Sequence, residues 1–211
     1  MPSAYVPGPP LSDYVDLLWI YEGYAQPHDQ ERLLPTGAMD LVLSLDNDNC
    51  VGSAVSGARS EFAVLDTSRP FSLIGAHFKP GGGFPFFPPP AGELQNLGVP
   101  LDAVWGADAN LVRAQLLEAK TPEARFRILE RALVEKSSGR LRRHPAVRYA
   151  LKAFEGARSA RAVTEVTGQL GLSARRFIEL FRNEVGLTPK AYCRVRRFQD
   201  TLRALDEADR G

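Results

Sequence analysis

Gly171-Leu172-Ser173-Ala174-Arg175-Arg176-Phe177-Ile178-Glu179-Leu180-Phe181-Arg182 decides how the C-terminal part of this chain folds. A glycine, a small polar residue and then a run with helical periodicity are what a short turn feeding a capped helix requires. Gly171 suits the left-handed backbone of such a turn. Ser173 is placed to accept a hydrogen bond from a free amide of the first helical turn. Phe177, Leu180 and Phe181 fall on one face, with Val185 continuing it, while Ala174, Arg175, Ile178, Glu179 and Arg182 fall on the other. A second turn follows at Gly186-Leu187-Thr188-Pro189. The spacing reads as the turn and recognition helix of a helix-turn-helix, whose polar face a DNA groove would see. A small helical bundle with a solvated arginine face has the same pattern.

Working outward, the preceding helix is expected from Arg161 to Gln169, with Val163, Val166 and Leu170 inward. His144-Pro145 opens a helix carrying Val147, Ala150, Leu151 and Phe154 on its apolar side. A long helix is expected from Pro189 to about Leu205. Upstream, Ala109–Lys120 and a helix starting at Thr121-Pro122-Glu123 show helical spacing. Lys136-Ser137-Ser138-Gly139-Arg140 is polar and basic and reads as a boundary.

The N-terminal part has a different texture. Leu17–Tyr21, Leu41–Leu45, Phe62–Leu65 and Phe71–Phe78 are short apolar runs separated by Gly, Pro, Ser and Asp. Such runs predict an antiparallel β-rich unit, a barrel or a sandwich. Lys79–Pro90, KPGGGFPFFPPP, lacks the Gly-Lys-Ser/Thr that would make it a phosphate loop. It is expected to carry the chain from sheet to helices, with Phe84, Phe86 and Phe87 packed on the sheet or lining a pocket. The fold class is therefore α+β. Residues 1–135 form a β-rich unit with trailing helices, 136–142 a linker, and 143–211 an all-α homeodomain-like helix-turn-helix unit.

The net charge of +1 over 211 residues hides an asymmetry. Residues 136–211 hold 17 Lys and Arg against 8 Asp and Glu, whereas residues 1–135 hold 9 against 17. An acidic half joined to a basic half implies that the C-terminal half faces a polyanion. Cys50 and Cys193 are too few and too far apart for a disulfide framework or a metal motif, and both read as small buried residues. No apolar run is long enough to span a membrane, and the N-terminus lacks the basic and apolar regions of a secretory signal. A cytoplasmic protein is expected, with no membrane partner.

From Gly171 to Arg182, through Glu184-Val185-Gly186-Leu187-Thr188-Pro189-Lys190-Ala191-Tyr192, to Arg197-Phe198, the chain resembles the AraC/XylS family of bacterial transcription regulators. Leu34–Val42, Val55–Gly57, Gly75–Gly82 and Pro100–Gly106 are similar to segments of an N-terminal domain found in one branch of that family. The resemblance implies a transcription factor that binds double-stranded DNA, with a sensor or dimerisation domain ahead of it. A small-molecule effector and a homodimer are its implied partners. The family carries a second helix-turn-helix beyond the connecting helix, and this sequence ends at Gly211 before one begins. A sensor and dimerisation fragment that modulates a full-length regulator without binding DNA well is thus the alternative. Val166-Thr167 stands where a Leu-Ala pair is usual, followed by Gly168, which costs roughly 1 kcal/mol against Ala inside a helix. Glu179 occupies a groove-facing position more often Arg or polar.

On this reading Arg175 contacts a base or a phosphate, and Arg176 and Arg182 contact phosphates or lie on a solvated face. Ile178 reaches a thymine methyl or a sugar, and Glu179 can accept from cytosine N4. Free amides at Ser173 and Thr188 can hold phosphate. Arg194 and Arg197, with Arg196, either reach the backbone or pair with Glu184 or Asp200. Trp19, Tyr21, His77 and Phe78 are candidate effector-pocket residues, although each reads first as plain core, and His77 would bond a ligand or a backbone carbonyl. A cupin-like enzyme would need several histidines and a carboxylate converging, and this half has only His28 and His77. No catalytic constellation, metal site or cofactor is expected.

Overall fold

The computed structural model describes residues 3–46, 52–137, 139–155 and 163–209. Cys50, the expected helix start at Arg161 and the side chain of Val163 lie outside the described residues.

The architecture is α+β: an N-terminal antiparallel β-rich half followed by helices. Among the described residues there are eight strands: β1 Ser3–Tyr5, β2 Val15–Tyr24, β3 Gln30–Leu33, β4 Asp40–Ser44, β5 Ala54–Ser56, β6 Ala63–Asp66, β7 Phe71–Phe78 and β8 Gly98–Pro100. Six of them form one antiparallel sheet in the order β1-β2-β7-β4-β5-β8, and β3 pairs with β6 in a separate ribbon. The four apolar runs seen in the sequence became β2, β4, β6 and β7. The other strands are only three or four residues long, too short to declare themselves in the sequence. Pairing with a neighbour, not local pattern, makes them strands.

Successive strand residues point to opposite faces, and this sorts the sheet. Leu18 stands opposite Ala76, which stands opposite Leu41; Ile20, Ile74 and Leu43 form the next row. All six are fully buried. They share one hydrophobic cluster with Leu101 and Trp105 of α1 (Leu101–Trp105), Val112 and Leu116 of α2 (Ala107–Glu118), and Phe126, Leu129 and Leu133 of α3 (Pro122–Ser137). Thr121 caps α3 by accepting from the Ala124 amide at 3.2 Å.

The KPGGGFPFFPPP segment forms one short 3-10 turn, Phe84–Phe86, and a second, Ala91–Glu93, follows it directly. Phe86 stacks on Phe78 and Phe87 on Trp105, whose indole N–H donates to the Phe86 carbonyl at 2.9 Å. The buried Phe86 and Phe87 are core, the first of the two roles their sequence allows.

Four helices follow: α4 Pro145–Ala153, α5 Val163–Gln169, α6 Ala174–Val185 and α7 Pro189–Asp209. Several boundaries differ from expectation; α2 begins and ends two residues earlier than expected. α3 runs on to Ser137, a buried residue within the expected linker, and α7 continues past Leu205.

The helical half is not set apart from the sheet half. Val147, Phe154, Phe177, Phe181, Leu187, Tyr192 and Val195 belong to the same hydrophobic cluster as the sheet residues. Arg143 donates from Nε (3.2 Å) and Nη2 (2.8 Å) to the Gly81 carbonyl, and its guanidinium lies 5.6 Å from the centre of the Tyr14 ring. Gln199 donates to the Pro35 carbonyl at 2.7 Å. Tyr192 and Val195 lie against Gly37, and Leu151 and Val185 against Gly81.

Candidate nucleic-acid interface

The site begins at the turn between α5 and α6. Gly171 adopts φ +63°, which an L side chain would resist. Ser173 then has an extended backbone, and its Oγ accepts from the Arg176 amide at 3.3 Å. That satisfies one of the orphan donors at the start of α6. At the other end Gly186 closes the helix in the left-handed region at φ +89°, its amide donating to the Arg182 carbonyl at 2.9 Å.

Between these caps α6 has two faces. Phe177, Phe181 and Val185 are buried, and Phe181 packs on Phe177, Phe154 and Tyr192 at centroid distances of 5.8, 6.0 and 5.6 Å. Burial pushes the Tyr192 phenol up to about 12. On the outer face Ala174, Arg175, Arg176, Ile178, Glu179 and Arg182 are exposed. Ile178, a large apolar side chain, is 40% exposed.

The outer residues are not equivalent. Arg176 donates to Glu179 at 3.0 Å, with both side chains more than half exposed, so the pair is solvated and weak. Arg182 donates from Nη2 to the Gly92 carbonyl at 3.3 Å. Thr188 accepts from the Ala191 amide at 3.3 Å and caps α7. Arg194 and Arg197 are exposed on α7, whereas Arg196 reaches Asp200 at 3.9 Å, with its buried Nε lacking a hydrogen-bond partner. Sequence reasoning missed the anchor at the far end of α6. Both oxygens of the Glu184 carboxylate accept from the His144 amide (3.0 and 3.2 Å), fixing the start of α4 to the end of α6. Burial pushes that carboxyl up, opposed by this bond and by Arg143. Only the long-range packing shows this contact.

The four candidate pocket residues divide. Leu17, Trp19, Tyr21 and His77 share the sheet face opposite the core, in register with His77, Gly75, Leu73 and Asp40. Trp19 lies across Gly75, where a Cβ would come within 2.4 Å of its ring, and it packs on Tyr21 at 5.3 Å. Tyr21 packs on Tyr24 at 4.9 Å. Phe78 does not join them. It follows His77 on the strand, so it points into the core and stacks on Phe86.

His77 has a carboxylate partner that the order of its neighbours did not point to. Its Nδ1 lies 2.6 Å from Asp40 Oδ1, across the β4–β7 pairing. The hydrogen bond to Asp40, opposed by burial, raises the imidazole pKa above its ordinary value. Two surface grooves, of 490 Å³ between α2 and α3 and 570 Å³ beside Leu65, Arg69 and Phe71, are lined by none of Trp19, Tyr21 and His77. Among the described residues no three His, Cys, Asp or Glu side chains converge as metal ligands, and no helix is long and apolar enough to cross a membrane.

Residues 3–100 match the model of a family described as a domain of unknown function, DUF6597. The match covers somewhat less than half of the chain and stops just before α1. No curated protein and no solved structure matches the chain.

Proposed function

We propose that this chain is a sequence-specific DNA-binding transcription regulator of the AraC/XylS type. In this reading α5 and α6 are a homeodomain-like helix-turn-helix, and α6 enters the major groove. The observation that carries the reading is the two-faced α6, capped by Ser173, joined to α5 by a glycine turn and exposing Arg175, Arg176, Ile178 and Glu179. In a helix-turn-helix the N-terminal residues of the second helix meet base edges while flanking groups hold phosphates. Arg175 is the base-reading residue, in bidentate contact with guanine, and Arg176, Arg194 and Arg197 serve the backbone. The basic charge of residues 136–211 supports the same partner.

The sheet half is the controlling unit in this proposal, through a small-molecule effector or a second copy of the chain. Trp19, Tyr21 and the His77–Asp40 pair offer a half-buried aromatic surface with a polar end.

Fluorescence anisotropy on the chain's own upstream DNA and on a scrambled duplex, at two salt concentrations, tests the proposal. The upstream duplex is expected to bind more tightly, with salt weakening both. Arg175→Ala removes the difference, about 1–3 kcal/mol of discrimination. Failure of both duplexes to bind at low salt overturns the proposal.

A further inference from the structure

Arg182 is the cation on the outer face of α6 that the sheet half holds. Its Nη2 donates to the carbonyl of Gly92, in the Ala91–Glu93 turn. The approach is so close that a Cβ at position 92 would meet Arg182 Cγ at 2.6 Å and its Nε and carbonyl oxygen at 3.0 Å. Gly186, one turn further on, fits the same surface: a Cβ there would meet the Ala58 Cβ at 2.9 Å and the Ala91 carbonyl at 3.3 Å. Gly92 is buried, yet Arg182 remains exposed. A guanidinium has five N–H donors in a rigid fork, and one bond to a carbonyl leaves the others for solvent or a ligand. Arg182 follows Arg175 by seven residues, two helical turns, so the two share a face.

We propose that the Ala91–Glu93 turn positions Arg182 for a DNA phosphate, which makes the sheet half a working part of the DNA interface. This rests on the DNA-binding reading of α6. The ligand group is a phosphate and not a base, because Arg182 lies in the C-terminal part of α6 whereas base edges meet the N-terminal part. A long side chain loses rotamer freedom on binding, and one already held by a carbonyl has less to lose. Gly92 acts through Arg182 and is a positioning residue.

The test is the salt dependence of binding to a mixed-sequence duplex, read by anisotropy for the whole chain, Gly92→Ala, Arg182→Ala and the double variant. Arg182→Ala is expected to lower the slope of log affinity against log salt by about 0.9, the value of one phosphate. Gly92→Ala is expected to lower it by the same amount, and the double variant no further. A merely structural role for Gly92 lowers stability and leaves the slope in place, which overturns the proposal, as does tighter binding by Gly92→Ala. Amide hydrogen exchange on the unaltered chain gives a reading that needs no variant to fold. The Glu93 and Leu94 amides, which donate to Pro90 and Ala91 at 2.9 and 3.2 Å, are expected to stay protected when the duplex binds. Loss of that protection on binding overturns the proposal. Absence of binding by the unaltered chain at low salt instead removes the DNA reading itself, so the two failures are told apart.

Discussion

Two ion pairs show how differently the halves of this molecule use charge. In the sheet half, His77 and Asp40 face each other across paired strands at 2.6 Å, with side chains 27% and 33% exposed. In the helical half, Arg176 and Glu179 sit one turn apart on α6 at 3.0 Å, with side chains 55% and 56% exposed. Two adjacent strands hold the first pair in register, so it is part of the fold. Solvent screens the second, and a polyanion can displace it at little cost. The first pair belongs to the register of the sheet, the second to a solvent-facing helix surface.

The contrast breaks first if the halves do not share a core. Phe78 and Phe181 are both fully buried, one beneath the sheet and one beneath α6, in one contiguous cluster. Phe78→Ala and Phe181→Ala are each expected to cost about 3–5 kcal/mol. Calorimetry should show a single unfolding transition that both substitutions move. Two separate transitions, each responding to one substitution, would show that the halves fold independently.

Ser173→Ala tests the cap that orients α6. It removes the acceptor for the Arg176 amide and is expected to cost about 1 kcal/mol in stability. Helicity and melting temperature, measured with Ser173→Asp beside it, check this, since aspartate can cap and should restore most of the loss.

The smallest effect tests the His77–Asp40 pair by pH. His77 has a raised pKa in the folded chain, so the stability it contributes is fully present below its unfolded value, near 6.5. That contribution is lost as pH rises through the folded value. Melting temperatures of the unaltered chain and Asp40→Asn should therefore differ most in mild acid and converge as pH rises past that point. A difference that stays constant with pH would show that Asp40 acts by packing alone.

Much of the helical half is legible in the sequence because its cues are local. Gly171, Ser173, Thr121, His144-Pro145 and Gly186 act on residues within a few positions of themselves, and a helix satisfies its own backbone. The amphipathic stripe of α6 is therefore visible in the order of its residues alone. In the sheet half the long apolar runs declare β2, β4, β6 and β7, but the placing of His77 with Trp19 and Tyr21, and of Phe78 away from them, needs strict alternation along β7. The partnership of His77 with Asp40 needs the β4–β7 register, which spans 37 residues of sequence.

The sequence by itself determined the α+β class, the capped two-faced α6 and the acidic-to-basic division of the chain, because periodicity, caps and composition are properties of neighbouring residues. Tertiary structure alone decided that Arg143 reaches Gly81, that Arg182 rests on Gly92, and that both halves share one core. Those contacts join backbone carbonyls and glycines to side chains as many as 90 positions away. A bare carbonyl or an absent Cβ leaves no mark in a sequence until another segment packs against it.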